Sequence, residues 1–323
     1  MKWQWWLAIV VGGLALVLGF WLVSASWRNK QTFLSPQGAW EFVAKPLQKY
    51  SFPSLKQQVF SGSAINVDAN WIFTYKAEGK TISGKINLPE GNPPESGWPV
   101  VILIRGFVEP EIYASGVGSQ RVGEFLASNG FITLAPDFLG FGLSDPPPNN
   151  VLEERFLRPV AVLELIASVA SLPQANPNKI FIWGHSNGGQ IALSVLEISG
   201  ASYPTSLWAP VSKPFPYSIL YYTDEFEDYG KALRKVVAGF EAIYNADEFS
   251  IHHYYDWINA PIHIHQGTAD EAVPLTWSQA LAETLEAKGE EVILYVYPQA
   301  DHNLLDGWDT AVQRDLNWFK SQL

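Results

Sequence analysis

The alternation of short apolar segments with helical segments constrains this chain more than any other feature. Apolar runs of four to six residues recur from residue 100 onwards, separated by stretches with helical periodicity. Strands and helices that alternate in this way form a parallel, doubly wound sheet with helices on both faces. The predicted strands are 100–105, 131–136, 179–183, 205–209, 262–265 and 292–297. The predicted helices lie near 119–129, 152–172, 188–199, 276–288 and 310–321.

Two further features set the predicted domain organisation. Residues 71–77 and 81–88 have strand-like patterns separated by Glu78-Gly79-Lys80, which predicts an antiparallel hairpin at the start of the sheet. We expect one α/β domain over 61–323, preceded by a stalk or linker over 27–60 with a short helix near 38–49. Residues 212–258 are long, aromatic and outside the alternation, so we predict a lid-like helical insertion over the site.

The N-terminal segment carries a membrane signal. Nineteen residues from Trp5 to Val23 contain no charge, close to the ~20 that a helix needs to cross a bilayer. Tryptophans at both ends of this run resemble the aromatic belts of membrane interfaces. We expect a single transmembrane anchor over 1–26, and a signal peptide cleaved after Val23-Ser24-Ala25 is the alternative. Basic residues on the two sides are nearly balanced, and we expect the domain to be extracytoplasmic.

Charge and cysteine content exclude several classes of function. The formal net charge is −11 and no basic run occurs, which argues against binding to a nucleic-acid backbone. The absence of cysteine excludes disulfides, thiolate metal sites and a cysteine nucleophile. The segment Gly116-Val-Gly118 lacks the third glycine of a dinucleotide-binding loop. We therefore expect neither a cofactor nor a metal, and the oligomeric state is left open.

The sharpest motif is Gly184-His-Ser186-Asn-Gly188, which lies between a predicted strand and a predicted helix. This arrangement is typical of a nucleophile elbow, the strained turn that exposes the serine of an α/β-hydrolase fold. Small residues two positions before and after the serine let the strand and helix approach each other. The amide of Asn187, at the start of the helix, is then a candidate oxyanion donor.

A serine hydroxyl needs a base, and the chain contains six histidines. In this fold the order along the chain is serine, acid, histidine, with the last two on loops at the carboxyl edge of the sheet. His302 follows the strand at 292–297 and is the predicted general base. His263 and His265 alternate within an apolar strand, which favours buried core histidines over catalytic ones.

The predicted acid is Asp270, which follows the strand at 262–265 beside a glycine turn. Its role would be to hold the histidine in the productive tautomer and to stabilise the imidazolium. Glu271 and Asp301 are the alternative acids. The second oxyanion donor should come from the loop after the first parallel strand, where Gly106 permits close approach, and we predict the amide of Phe107.

Taken together, these motifs resemble the catalytic domain of the prolyl oligopeptidase family. The resemblance covers about residues 98–321 and rests on Gly184-His-Ser-Asn-Gly-Gly189, on His265-Gln-Gly-Thr-Ala-Asp270 and on Asp301-His302. It implies Ser186, Asp270 and His302 as the triad and peptide or ester acyl groups as substrates. In one departure, Arg105-Gly106-Phe107 replaces the His-Gly sequence that many relatives show in this loop.

The function expected from the sequence is hydrolysis of peptide or ester bonds through an acyl-enzyme intermediate by a prolyl-oligopeptidase-like serine peptidase. One alternative is a carboxylesterase acting on small acyl esters, and another is a non-catalytic binding module of this fold at the membrane. Tyr221 and Tyr222 in the insertion are candidate substrate contacts. The acidic residues around them are more typical of solvated surface than of an amine-binding site.

Overall fold

A computed structural model of the protein describes residues 44–323, apart from the side chain of Glu225. The residues from Lys45 to Leu323 form one unit. The predicted anchor over 1–26 and the part of the predicted stalk before residue 44 lie outside the described residues. Between residues 44 and 323, no helix combines the length and apolar character needed to cross a bilayer.

One sheet organises the described residues. Its strands are β1 (Asn66–Val67), β2 (Ile72–Ala77), β3 (Lys80–Asn87), β4 (Trp98–Ile104), β5 (Ile132–Pro136), β6 (Ala175–His185), β7 (Thr205–Trp208), β8 (Ile262–Gly267) and β9 (Val292–Tyr297). Their spatial order is β1-β2-β3-β5-β4-β6-β7-β8-β9. The strands β1, β2, β3 and β5 pair antiparallel in that order, and every other pairing is parallel. The predicted hairpin and mostly parallel sheet are confirmed.

Helices cover both faces of this sheet. They are α1 (Phe52–Leu55), α2 (Gln120–Ala127), α3 (Val151–Ser168), α4 (Asn187–Ser199), α5 (Tyr217–Leu220), α6 (Lys231–Glu241), α7 (Leu275–Ala287) and α8 (Trp308–Ser321). The predicted helices match α2, α3, α4, α7 and α8 to within a few residues. At the end of α2, Gly130 adopts φ +98°, a conformation that favours glycine and stops the helix.

The alternation of side chains along β4 divides the core between the two faces. Val100, Ile102 and Ile104 join one buried cluster, together with apolar residues of α3, α4 and α7. Val101 and Leu103 join a second cluster, formed with residues of α2 and α8. Both faces of the central strand are therefore buried, as expected for a doubly wound sheet.

The N-terminal boundary corrects the prediction that the domain starts near Ser61. A 3₁₀ turn over Pro46–Tyr50 and helix α1 bring apolar side chains into the core. Leu47, Tyr50, Phe52 and Leu55 are each 6% exposed or less. These turns are short and proline-containing, so they lack the periodicity by which a longer helix is recognised. The second half of the predicted stalk is part of the domain.

The insertion at 212–258 is helical, with α5, α6 and four short 3₁₀ turns between β7 and β8. Its aromatic residues anchor it to the domain. Phe156 of α3 lies 5.2 Å from Phe215 and 4.7 Å from Phe249 between ring centroids. The aromatic residues that distinguish this segment in the sequence therefore pack the insertion against α3.

Candidate active site

Ser186 lies on the sharp turn between β6 and α4. Its backbone is in a left-handed conformation, with φ 55° and ψ −120°, which is strained for a residue with a side chain. A Cβ added at Gly188 would lie 1.9 Å from the carbonyl oxygen of Ile104, and one at Gly184 would lie 2.8 Å from the carbonyl oxygen of Gly188. Only glycines fit at these two positions, which explains the spacing of the motif.

Asp270 and His302 meet on the loops that follow β8 and β9. His302 Nδ1 lies 3.0 Å from Asp270 Oδ1 and 2.9 Å from Oδ2. The carboxylate side chain is fully buried, whereas the imidazole is 22% exposed. The structure therefore pairs the predicted acid with the predicted base and leaves the imidazole partly open to solvent.

The environment of Asp270 favours its ionised form. Burial alone would raise the pKa of this carboxyl, but hydrogen bonds from His302 and Val273 outweigh burial and lower the pKa below its ordinary value. Gln266 Nε2 also donates to Oδ2, at 2.8 Å. A carboxylate held ionised in this way can orient an imidazole and stabilise its charged form.

His185 connects the serine turn to the histidine loop. Its Nε2 lies 3.0 Å from the carbonyl oxygen of His302, and the two rings are 4.7 Å apart. Burial, followed by repulsion from His302, lowers the pKa of His185 to about 4, so it is neutral at neutral pH. No role for His185 is predicted from the sequence, although its place within the motif was a signal.

The hydroxyl of Ser186 makes no hydrogen bond to His302 within residues 44–323. The parallel strands β6, β8 and β9 nevertheless bring the segments carrying Ser186, Asp270 and His302 to one edge of the sheet, as His185 against His302 shows. Hydrogen bonds between nucleophile and base are often long without substrate and tighten in the reacting complex.

The two predicted oxyanion donors flank the serine. Asn187 is the first residue of α4, and the first amides of a helix have no acceptor within it. On the other side, a Cβ added at Gly106 would lie 2.9 Å from the Cβ of Ser186, so the loop that carries Phe107 passes close to the nucleophile. The Phe107 side chain is 72% exposed, and its role would be through the backbone alone.

Tyr221 and Tyr222 reach the side of the site that carries Asp270. The Tyr221 ring lies 4.8 Å from Trp277 and 5.1 Å from Tyr222. Tyr222 packs on a small buried cluster that includes Val273, three residues after Asp270. The acidic neighbour Asp224 is 88% exposed and pairs with Arg234, as expected for solvated surface.

Arg155 of α3 is a neighbour of the site that is not predicted from the sequence. Its guanidinium donates to Asn187 Oδ1 at 3.4 Å and to Gln190 Oε1. Desolvation lowers the pKa of Arg155 to about 10. Nothing in the sequence distinguishes this arginine from Arg158 on the same helix, because only the approach of α4 selects it.

His263 and His265 lie in the buried strand β8, and their ligand atoms lie within 4.8 Å of those of Asp315. Asp315 already accepts hydrogen bonds from Ser206 Oγ at 2.7 Å and Trp208 Nε1 at 2.8 Å, and it pairs with His265 at 2.9 Å. The carboxylate oxygens are thus occupied by protein donors. We interpret the cluster as a structural network of the core rather than a metal centre.

Comparisons with known proteins identify the family and the fold of the chain. The model of the prolyl oligopeptidase family matches residues 161–323, half of the chain, and the model of the α/β hydrolase fold matches 99–204. A "Probable dipeptidyl peptidase 4" from Aspergillus fumigatus is 26% identical over 244 residues, which are 70% of this chain and 30% of that protein. The chain thus spans less than a third of that relative.

Solved structures share the fold at low sequence identity. A puromycin-hydrolyzing peptidase from Mycobacterium tuberculosis superimposes with a TM-score of 0.62 at 16% identity, covering 80% of this chain and 40% of that one. An acetyl xylan esterase from Paenibacillus sp. R4 has a TM-score of 0.59 at 16% identity, covering 82% of this chain and 91% of that one. The same architecture thus occurs in peptidases and in esterases.

Proposed function

This chain belongs to the prolyl oligopeptidase family and is a serine hydrolase, and from that premise we propose that Ser186, His302 and Asp270 form its catalytic triad. The observation that carries the proposal is the 2.9 Å contact of His302 Nδ1 with the buried Asp270 carboxylate, next to the strained turn of Ser186. An acid, a base and a nucleophile on three loops of one sheet edge are the parts that acyl transfer needs.

The mechanism is acyl transfer in two halves. His302 accepts the hydroxyl proton as Ser186 Oγ attacks the carbonyl carbon, and the resulting oxyanion accepts hydrogen bonds from the amides of Phe107 and Asn187. The bond to the leaving group breaks as His302 returns the proton to it. Water then attacks the acyl-serine as His302 takes its proton, and the tetrahedral species collapses as His302 gives that proton to Ser186 Oγ, which releases the acid and the free serine.

We propose short peptides as the substrates and small acyl esters as the alternative. The family and the dipeptidyl peptidase relative support a peptidase. The esterase alternative is supported by the acetyl xylan esterase, of which this chain covers 91%. Tyr221 and Tyr222, which lie beside the Asp270 loop, are the proposed walls of the substrate pocket.

Labelling with a fluorophosphonate tests the nucleophile. The wild-type protein should be labelled, and Ser186→Ala should lose both labelling and turnover because no other hydroxyl occupies the turn. Ser199→Ala is the matched control, since this serine lies on α4 and its hydroxyl bonds to the carbonyl of Val195 at 2.7 Å. Equal labelling of wild type and Ser186→Ala would refute the assignment, and a folded wild type without any labelling or turnover would favour the binding module.

Substrate class is decided by a panel in which the same purified protein is given short acyl esters and dipeptidyl amides. A kcat/KM for a dipeptidyl amide within about tenfold of that for the best ester supports the peptidase. Hydrolysis of esters but not of amides would show that the protein is an esterase. The Ser186→Ala variant measures the background of both reactions.

We propose further that the segment over 1–26 anchors the enzyme to a membrane, with the catalytic domain on the extracytoplasmic side. The uncharged run from Trp5 to Val23 supports this. Detergent, but not alkaline carbonate, should then release the protein from the membrane fraction. Protease added outside sealed cells should remove the domain. Release of the protein by carbonate would contradict the membrane anchor, and protection of the domain from protease would contradict the extracytoplasmic orientation.

A further inference from the structure

Arg105 is a buried arginine in the loop that passes the nucleophile. It follows the carboxyl end of β4 and is only 7% exposed. Its guanidinium carbon lies 4.5 Å from the ring centroids of both Tyr113 and Phe141. The two rings lie 4.8 Å from each other, edge to face. Contact with aromatic rings compensates part of the cost of burying this charge.

Asp137, beside Arg105, is the centre of a hydrogen-bond network. Tyr113 Oη donates to Asp137 Oδ1 at 2.7 Å, and Ser83 and Ser115 donate to Oδ2 at 2.6 and 2.7 Å. Arg105 Nη2 donates to the backbone carbonyl of the same Asp137 at 3.1 Å. One end of the guanidinium is therefore tied to the loop after β5.

The other end of the guanidinium holds the peptide that precedes Phe107. Arg105 Nη1 donates to the carbonyl oxygen of Gly106 at 2.9 Å. That oxygen belongs to the same planar peptide group as the amide of Phe107, and in a trans peptide the C=O and the N–H point in opposite directions. A donor that holds the carbonyl oxygen on one side therefore aims the N–H to the other.

The charge of the guanidinium adds to this effect. A charged donor on a carbonyl oxygen withdraws electron density from the peptide group, and hydrogen bonds in such a chain strengthen one another. The Phe107 amide becomes a better donor as a result. The peptide also lies near the nucleophile, because a Cβ added at Gly106 would lie 2.9 Å from the Cβ of Ser186.

We propose that Arg105 is a positioning residue that orients and polarises the peptide between Gly106 and Phe107, so that the Phe107 amide serves as an oxyanion donor. Arg105 itself touches no substrate and acts through the Gly106 carbonyl. The proposal rests on the acyl transfer proposed above, since an oxyanion donor has meaning only if an oxyanion forms.

A pair of substrates that differ in one atom tests the proposal. An ester and its thionoester place oxygen or sulfur at the same site, and sulfur is the weaker hydrogen-bond acceptor. The wild type should prefer the oxygen ester. Arg105→Met should lower kcat for the oxygen ester about 10- to 100-fold, less than the roughly 10²- to 10³-fold loss on removal of an oxyanion donor, because the Phe107 amide remains; KM should stay within about threefold. The preference for oxygen over sulfur should shrink by a similar factor.

Two further variants complete the test. Arg121→Met is the matched control, because Arg121 stacks on Trp308 at 3.5 Å and pairs with Asp309, and its ester preference should equal that of the wild type. Arg105→Lys keeps the charge but loses the two-armed guanidinium, so its preference for oxygen over sulfur should lie between those of the wild type and Arg105→Met. If Arg105→Met does not fold, the oxygen-over-sulfur preference of Arg105→Lys tests the proposal.

The outcomes separate this proposal from the proposed function. If the wild type hydrolyses neither substrate, the proposed function fails. If the wild type is active and the oxygen preference of a folded Arg105 variant is unchanged, Arg105 has no role in the oxyanion site and only the positioning proposal is overturned. The positioning proposal is also overturned if a folded Arg105 variant loses activity toward both esters equally, so that its preference for oxygen is unchanged.

Discussion

Asp270 illustrates how single hydrogen bonds set the chemistry of the site. Its two oxygens accept from His302 Nδ1, from Gln266 Nε2 and from the amides of Ala272 and Val273, at 2.8 to 3.0 Å. Each of these donors favours the charged carboxylate over the neutral acid. The residue is thus prepared to hold a histidine in one tautomer before any substrate arrives.

Replacement of this carboxylate should impair catalysis rather than folding. In Asp270→Asn the new amide keeps the shape but offers His302 the wrong hydrogen-bonding partner, so kcat should fall about 10³- to 10⁴-fold. Steady-state ester hydrolysis measures the loss. Glu271→Gln is the control for the neighbouring acid, and a Glu271 variant that loses as much activity as Asp270→Asn would move the assignment to Glu271.

On the scale of a secondary-structure element, β8 carries two histidines into the core. His263 is 6% exposed and stacks on Trp318 with ring centroids 3.7 Å apart. Burial, followed by repulsion from His265, lowers the pKa of His263 to about 4. The strand therefore folds around a neutral ring, and the prediction from sequence that His263 and His265 are core residues agrees with their burial.

The neutral His263 makes folding stability depend on pH. Above the unfolded pKa of about 6.5 the ring is neutral in both states, and as the pH falls toward 4 only the unfolded chain takes up the proton. The loss is up to about 3 kcal/mol for a shift from 6.5 to about 4. His185, whose pKa is also lowered to about 4, adds a second contribution.

The measurement is urea unfolding from pH 7 to pH 4.5. His263→Phe keeps an aromatic ring against Trp318 and removes one titrating group, so its free energy of unfolding should fall more gently with acidification than that of the wild type. His253→Phe replaces a histidine whose side chain is 52% exposed and should leave the slope unchanged. Identical slopes in all three proteins would show that His263 does not titrate as inferred.

At the scale of the whole molecule, the parallel sheet assembles the site. Ser186, Asp270 and His302 are separated by 84 and 32 positions along the chain. They follow β6, β8 and β9, whose carboxyl ends share one edge. Ligands bind at this edge in open α/β sheets, and the insertion attached through Phe156 brings Tyr221 and Tyr222 to it.

The sequence by itself determined the order of strands and helices, the turn at Ser186 and the two loops that carry Asp270 and His302. These features are local: a strand is recognised by its apolar run, and the turn by glycines at Gly184 and Gly188. Chain order then selected His302 from six histidines because the sheet is parallel.

Only the tertiary structure decided the rest. Leu47 and Phe52 belong to the core because residues of the distant insertion approach them: the Leu47 amide donates to the Tyr244 hydroxyl, and the Phe52 ring stacks on Tyr254. The contact of His185 with His302, and the hold of Arg105 on Gly106 between Tyr113 and Asp137, likewise join residues from separate segments. Such contacts have no periodic signature along the chain, because burial and hydrogen bonding depend on which side chains meet after the sheet has formed.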